Sequence, residues 1–231
     1  MGRSLPHGRA CQSAALKTDP ETFIRANTDI TAPPHVPEIR LHLATEAHDL
    51  WLKTEDELQE IGLPPPFWAF AWAGGQGLAR YVLDHPEVVA GKRVLDFATG
   101  SGLVAIAAKL AGAADVTGAD IDPWAMTAVR LNAAENGVGI EFSGADVVGL
   151  PVEADVILAG DVFYDRDFAA RLLPWFSGLA SKGVLVLVGD PGRSYLPKDR
   201  LEFRAQYEVA VTRALEDSEV KKTTVWQFRA G

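Results

Sequence analysis

Cysteine is almost missing from this chain. Cys11 stands alone among 231 residues, which excludes an internal disulfide and a cysteine-based metal cluster. So thiol-poor a chain points to a reducing, intracellular setting: the cytoplasm for a bacterial source, the mitochondrial matrix for a eukaryotic one. Long apolar runs are missing too. None approaches the roughly 20 residues that span a bilayer, so no membrane partner is expected. A basic excess is also absent, because 22 Lys and Arg face 31 Asp and Glu for a net charge of −9. A general nucleic-acid binder needs a positive field to neutralise phosphates, and no nucleic-acid partner is expected. An acidic surface favours a cationic substrate instead. His35, His42 and His48 lack close ligand spacing and lie near prolines or acids, so no metal site is expected. There is no repeat, heptad or low-complexity tract.

What is present suffices for one medium domain with a sizeable core: 48% of residues are hydrophobic and 23% charged, the balance of an ordinary folded chain. Residues 1–18 carry Arg3, Arg9 and Lys17 and no acid. They read either as an organellar transit peptide or as a disordered start, and Gly2, Pro6 and Gly8 without an amphipathic period favour disorder. Residues 19–66 form an N-terminal extension. Within it Asp19 caps a short helix carrying Phe23 and Ile24, and Pro33, Pro34 and Pro37 impose extended backbone. Thr54 to Gln59 reads as helix, ended by Gly62 and the prolines that follow. Residues 67–231 form the main domain.

The chain is organised around Val94-Leu95-Asp96-Phe97-Ala98-Thr99-Gly100-Ser101-Gly102. A buried strand ends here, a small Gly-rich turn follows, and Leu103 to Leu110 reads as a helix. Strand, tight turn and helix in that order make the nucleotide-binding start of a doubly wound sheet. Gly100 and Gly102 let the backbone pass close to a ligand, and the helix N-terminus adds unpaired N–H donors. An ordinary strand-to-helix turn is the plain alternative, and Gly100 to Ala105 also fits the dinucleotide pattern Gly-x-Gly-x-x-Ala. Asp96 separates these readings. An acid is awkward beside a pyrophosphate, whereas it suits a cationic ligand such as the amino group and sulfonium of S-adenosylmethionine.

Strands and helices then alternate. Strands are expected at Asp115 to Ala119, Ile140 to Phe142, Ala154 to Ala159 and Gly183 to Gly189. Helices are expected from Pro123 to Glu135 and from Asp167 to Ala180, the latter bent at Pro174. Tyr207 to Thr212 and Thr223 to Phe228 close the chain as a hairpin. The result is an α/β fold with a mostly parallel, doubly wound, Rossmann-like sheet and an antiparallel C-terminal hairpin at one edge. Upstream, Phe67 to Gly77 alternates aromatics with alanines before a glycine cluster. That alternation predicts an extended segment with Trp68, Phe70 and Trp72 on one face, two of them packed in the core, and a helix from Gln76 to Leu83. Aromatic faces there attract cations.

Ligands of such sheets sit outside the carboxyl ends of the strands. Acids follow four strands in turn: Asp96, Asp120, Asp146 and Asp161. An acid about 20 residues past the turn suits ribose hydroxyls, which assigns them to Asp120 beside Ile121. Asp146 suits an adenine amino group. Each is alternatively a cap or turn former, the fitting role for Asp122 before Pro123. In Gly160-Asp161-Val162-Phe163-Tyr164, position along the sheet places Asp161 and Tyr164 at the reactive end. There Asp161 can orient an ammonium, and Tyr164 can hydrogen-bond it or stack on it. Arg193, Ser194 and Tyr195 either contact substrate or form a loop.

Here the chain resembles class I S-adenosylmethionine-dependent methyltransferases, a seven-strand fold. The Asp-x-x-Tyr of Asp161 to Tyr164 resembles the group that modifies protein lysines, and Trp72 matches the tryptophan before its first motif. Val36-Pro37-Glu38-Ile39-Arg40-Leu41-His42-Leu43 and Pro65 to Gln76 carry the likeness further, to the electron transfer flavoprotein beta subunit lysine methyltransferases. The likeness covers about residues 20–229. It implies a methyltransferase domain over 67–231 and N-methylation of lysines on a protein partner, the flavoprotein beta subunit. It also implies S-adenosylmethionine as cofactor, with Asp161 and Tyr164 at the catalytic end and Trp72, Asp96, Thr99, Gly100, Gly102, Asp120, Ile121, Asp146 and Gly160 around the cofactor. Ala98 departs from the family, replacing the first glycine of the motif. Val94 to Gly137 is also similar to ribosomal protein L11 methyltransferases, which leaves such an enzyme or a small-molecule methyltransferase as the alternative. Nucleic-acid base methylases carry paired prolines after the fourth strand that this chain lacks. A Rossmann dehydrogenase is opposed by Asp96, and a non-enzymatic binding module by the full set of acids.

Overall fold

The structure, a computed structural model, describes residues 19–45, 50, 65–211 and 218–230. The expectations for residues 1–18 and for a helix over Thr54 to Gln59 lie outside the described residues.

The first described element is α1 (Pro20–Ala26), capped as expected by Asp19, whose side chain accepts from the Thr22 N–H. The short strands β1 (Asp29–Thr31) and β2 (Leu41–Leu43) pair antiparallel. A 3₁₀ turn over Phe67–Ala69 leads into α2 (Ala73–Asp84). Then come β3 (Arg93–Phe97), α3 (Leu103–Leu110), β4 (Asp115–Ala119), α4 (Pro123–Glu135) and β5 (Glu141–Ser143). The chain closes with β6 (Val156–Gly160), α5 (Arg166–Ser181), β7 (Leu185–Asp190), β8 (Leu201–Ala210) and β9 (Val220–Phe228).

Seven strands form one sheet in the order β5-β4-β3-β6-β7-β9-β8. The first five are parallel, and β9 inserts antiparallel between β7 and β8. This is the doubly wound sheet with a terminal hairpin that the alternation predicts. Strands covered on both faces must be apolar on both, and their side chains sort by parity. Val156 and Leu158 of β6 face a core with α2 and α3, whereas Ile157 and Ala159 face one with Leu172 and Phe176 of α5. A third cluster joins Ile24, Trp68, Trp124 and Leu131, seating α1 on α4. Among the described residues no helix is long and apolar enough to cross a membrane.

The aromatic stretch departs from expectation. It is not extended throughout, because Phe67–Ala69 closes a 3₁₀ turn and α2 starts at Ala73, three residues early. Packing overrides the alternation: Trp68 is buried and stacks on Trp124 at 6.2 Å between centroids, while Phe70 is partly buried against the same cluster. α5 continues through Pro174. β8 begins six residues earlier than expected, because its outward Glu202, Arg204 and Glu208 give an edge strand a polar face.

Candidate active site

The strand order reverses between β3 and β6, and at such a switch point the loops diverge and open a crevice. A cavity of about 640 Å³ lies there, within the range of small-molecule sites. It brings together Trp72, Asp96, Thr99, Gly100, Asp120, Ile121, Asp146, Gly160, Asp161 and Tyr164. Gly102 alone of the expected residues does not line it. Gly102 sits behind the turn at the N-cap of α3 with φ +81°, where a Cβ would meet Val129 at 3.2 Å.

The turn folds around Asp96. Its Oδ2 accepts from Thr99 Oγ1 at 2.5 Å and from the Ala105 N–H at 3.0 Å. Burial nevertheless dominates and pushes the carboxyl up to about 7. Ala98 has φ +53°, so it supplies the left-handed bend that a glycine would make without strain. Asn132, fully buried, braces the turn from behind. It accepts from the His42 N–H at 2.7 Å and donates to the Ser101 carbonyl at 2.8 Å.

At the end of β4, Asp120 accepts from the Gly100 N–H at 2.9 Å and from the Asp122 N–H at 3.0 Å. Burial raises its carboxyl above the usual range. Asp122 caps α4 through the Trp124 N–H, as expected of it, and is pushed up to about 6 by burial. Ile121 stands exposed at the rim. Asp146 is half-exposed and held by Arg171 at 2.6 Å, which keeps its carboxyl low.

The far end is built differently. A seam of glycines seats the start of α2 directly on β6 and β7. A Cβ at Gly74 would lie 2.3 Å from the Gly189 carbonyl, and one at Gly160 would lie 2.9 Å from Gly75 Cα. Asp161, nearly buried, bends left-handed at φ +58°. Its Oδ2 accepts from the Gly75 N–H at 3.0 Å, a carboxylate at a helix N-terminus. Its Oδ1 accepts from Arg193 Nη2 at 2.6 Å and Nε at 3.1 Å. Arg193 also lies 5.7 Å over the Trp72 ring. Tyr164 is half-exposed beside Phe67 and Phe168, not packed away under α5.

Two residues escaped sequence reasoning in their roles. For Arg193 the sequence offers a substrate contact or a loop position but not its pairing with Asp161, although Gly189-Asp190-Pro191-Gly192 marks a tight turn just before it. Asn132 looks like any polar residue on a helix.

A ligand in this cavity would meet buried acids at one end, aromatics along the wall, and an acid, a cation and a phenol at the other. Residues 80–161 match the family model described as Ribosomal protein L11 methyltransferase (PrmA). The electron transfer flavoprotein beta subunit lysine methyltransferase of Xenopus laevis is 39% identical over 218 residues, covering 91% of this chain and 87% of that protein. The Homo sapiens protein of the same name is 35% identical over 221 residues, covering 91% and 83%. A ribosomal protein L11 methyltransferase of Symbiobacterium thermophilum is 45% identical, but over 100 residues, 41% of this chain and 33% of that one. Among solved structures, a Thermoplasma acidophilum protein superposes with a TM-score of 0.53 at 19% identity over 68% of this chain and 88% of that one. The ribosomal protein L11 methylase of Lactobacillus delbrueckii subsp. bulgaricus gives 0.50 at 22% over 69% and 81%; both likenesses concern the fold alone. The likeness to the flavoprotein-directed group runs nearly end to end, whereas the L11 likeness is partial, and the chain belongs to the electron transfer flavoprotein beta subunit lysine methyltransferase family and is a methyltransferase enzyme.

Proposed function

We infer that the chain transfers methyl groups from S-adenosylmethionine to lysine side chains of the electron transfer flavoprotein beta subunit. The observation that carries this reading is the full-length likeness to enzymes of that name, joined to a cavity whose two ends differ in chemistry. The donor fits the groups present. Asp96 is a buried acid whose carboxyl is raised by burial and, less, by the neighbouring Asp120, a cost that a cationic ligand end relieves. Asp120 serves the Gly100, Asp122 and Ile121 N–H groups, and its carboxylate oxygens have further lone pairs that suit paired hydroxyls. Trp72, Phe67 and Phe70 line the cavity, and aromatic rings attract a cation such as a sulfonium. When bound, the donor supplies a methyl carbon already attached to a leaving group.

The chain's residues then do the positioning. Asp161 and Tyr164 receive the lysine nitrogen at the mouth, and the aromatic wall excludes water. Asp161 orients the nitrogen, and solvent takes its proton. The L11-type alternative is less well supported, because its likeness is partial, covering 41% of this chain in one relative and 54% in another.

Purified chain incubated with radiolabelled S-adenosylmethionine and recombinant beta subunit should label that subunit at lysine, located by mass spectrometry. No label on it overturns the substrate. Asp161→Ala should abolish transfer and leave donor affinity intact, and surviving activity removes Asp161 from its role.

A further inference from the structure

We propose that Arg193 is a positioning residue that sets the protonation state of the substrate amine at Asp161. This rests on the lysine methyltransferase reading above. Lysine arrives as an ammonium with no lone pair, and with an ordinary pKa of about 10.4 only about one in a thousand is neutral near pH 7. A bare carboxylate makes this worse, because an opposite charge stabilises the charged form. This chain has no bare carboxylate there. Arg193 donates twice to Asp161 Oδ1, and the Gly75 N–H holds Oδ2. The two side chains are only 21% and 10% exposed, so solvent screens the pair weakly.

The arriving nitrogen therefore meets a compensated acid and a fixed cation. Both favour release of its proton to solvent, after which the amine keeps its lone pair and can still donate an N–H to Asp161. Arginine suits the task because it stays charged at any working pH. It is also anchored: Asp190 Oδ1 accepts from the Gly192 and Arg193 N–H groups at 2.6 and 2.7 Å, and the Trp72 ring lies under the guanidinium. The other charged or titratable groups around it are Asp190 at the end of β7 and Lys198 beyond it, Tyr164 after β6, Asp96, Asp120 and Asp122 across the cavity, and the Asp146–Arg171 pair. The first two turns of α2 bring none.

The test compares wild type, Arg193→Gln and Arg193→Lys as full chains with recombinant beta subunit. R193Q should bind substrate more tightly but turn over more slowly, with lower KM and a kcat about tenfold lower near pH 7.5. Its acid limb should move up by about one pH unit or more, so that kcat recovers by pH 9.5. R193K should keep the wild-type limb. Calorimetry in two buffers of different ionisation enthalpy, with demethylated cofactor present, should show wild type releasing close to one proton per lysine bound at pH 8. R193Q should release far fewer. A uniform loss of kcat with an unmoved limb, or a wild type that releases no proton, overturns the proposal. The second measurement decides the matter even if R193Q fails to fold. A wild type that never methylates the beta subunit overturns the substrate reading, and this proposal with it; methylation with an unmoved limb overturns this proposal alone.

Discussion

Replacing Asp96 by asparagine should make the ligand-free protein more stable. Asp96 is only 2% exposed, and burial pushes its carboxyl from 3.8 to about 7 against the help of Thr99 and Ala105. The folded chain thus holds this proton more tightly than the unfolded chain. Below about pH 3.8 both states are protonated and the site costs nothing. As pH rises toward 7 the folded state must either keep the proton or bury a charge, and stability falls. Above about 7 the loss is complete, and a rise of about three units corresponds to roughly 4 kcal/mol. Asparagine retains an oxygen for both donors and carries no charge, so D96N should lack this slope. Urea denaturation of both proteins without cofactor should show the D96N advantage widening by about 2–3 kcal/mol from pH 5 to pH 8. Asp120 and Asp122 titrate in the same direction, but they remain in both proteins and largely cancel. A difference that stays constant with pH refutes the reasoning. D96N should also lose donor affinity, since the same carboxylate is assigned to the donor's cationic end.

Ala98→Gly should raise stability by up to about 1 kcal/mol, because φ +53° strains an alanine; an unchanged Tm would mean that the strain is absorbed elsewhere. Gly74→Ala should cost about 2–3 kcal/mol, since its Cβ would lie 2.3 Å from the Gly189 carbonyl and 2.5 Å from Asp161 Oδ2. Denaturation reads the loss, and a stable G74A with normal turnover would show that the seam can yield. Asp120→Ala removes the acceptor of the Gly100 and Asp122 N–H groups. It should raise the donor Kd at least tenfold, and unchanged affinity in a binding titration refutes the ribose role.

Much of this fold is legible in the sequence because its signals are local. β3, the Gly-rich turn and α3 are contiguous, and acids at strand ends need only the topology to converge. What hides is what packing or distance decides. The alternation at Trp68, Phe70 and Trp72 looks like a strand, yet Trp68 turns inward to stack on Trp124, 56 residues away in sequence. β8 is masked by charges on its outer face. Arg193 and Asp161 are 32 residues apart, and nothing in the spacing announces their contact. The left-handed backbone at Ala98 is equally silent, because alanine disfavours it, and at Asp161 it is nearly so, because aspartate adopts it more often than most residues but still uncommonly.

The glycine seam has a mechanical meaning. Where backbone rests on backbone at Gly74, Gly75, Gly160 and Gly189, no side chain is left to act as a cushion. Trp72, at the cap of α2, and Asp161, at the tip of β6, are then two jaws of one vise with no play between them. On the lysine methyltransferase reading, this fixes the gauge at which a lysine would be held. Substitutions elsewhere on α2 cannot loosen one jaw without dragging the other, so a change of target protein would have to be made at the exposed lip, at Tyr164, Phe67 and Ile121, while the grip stays the same.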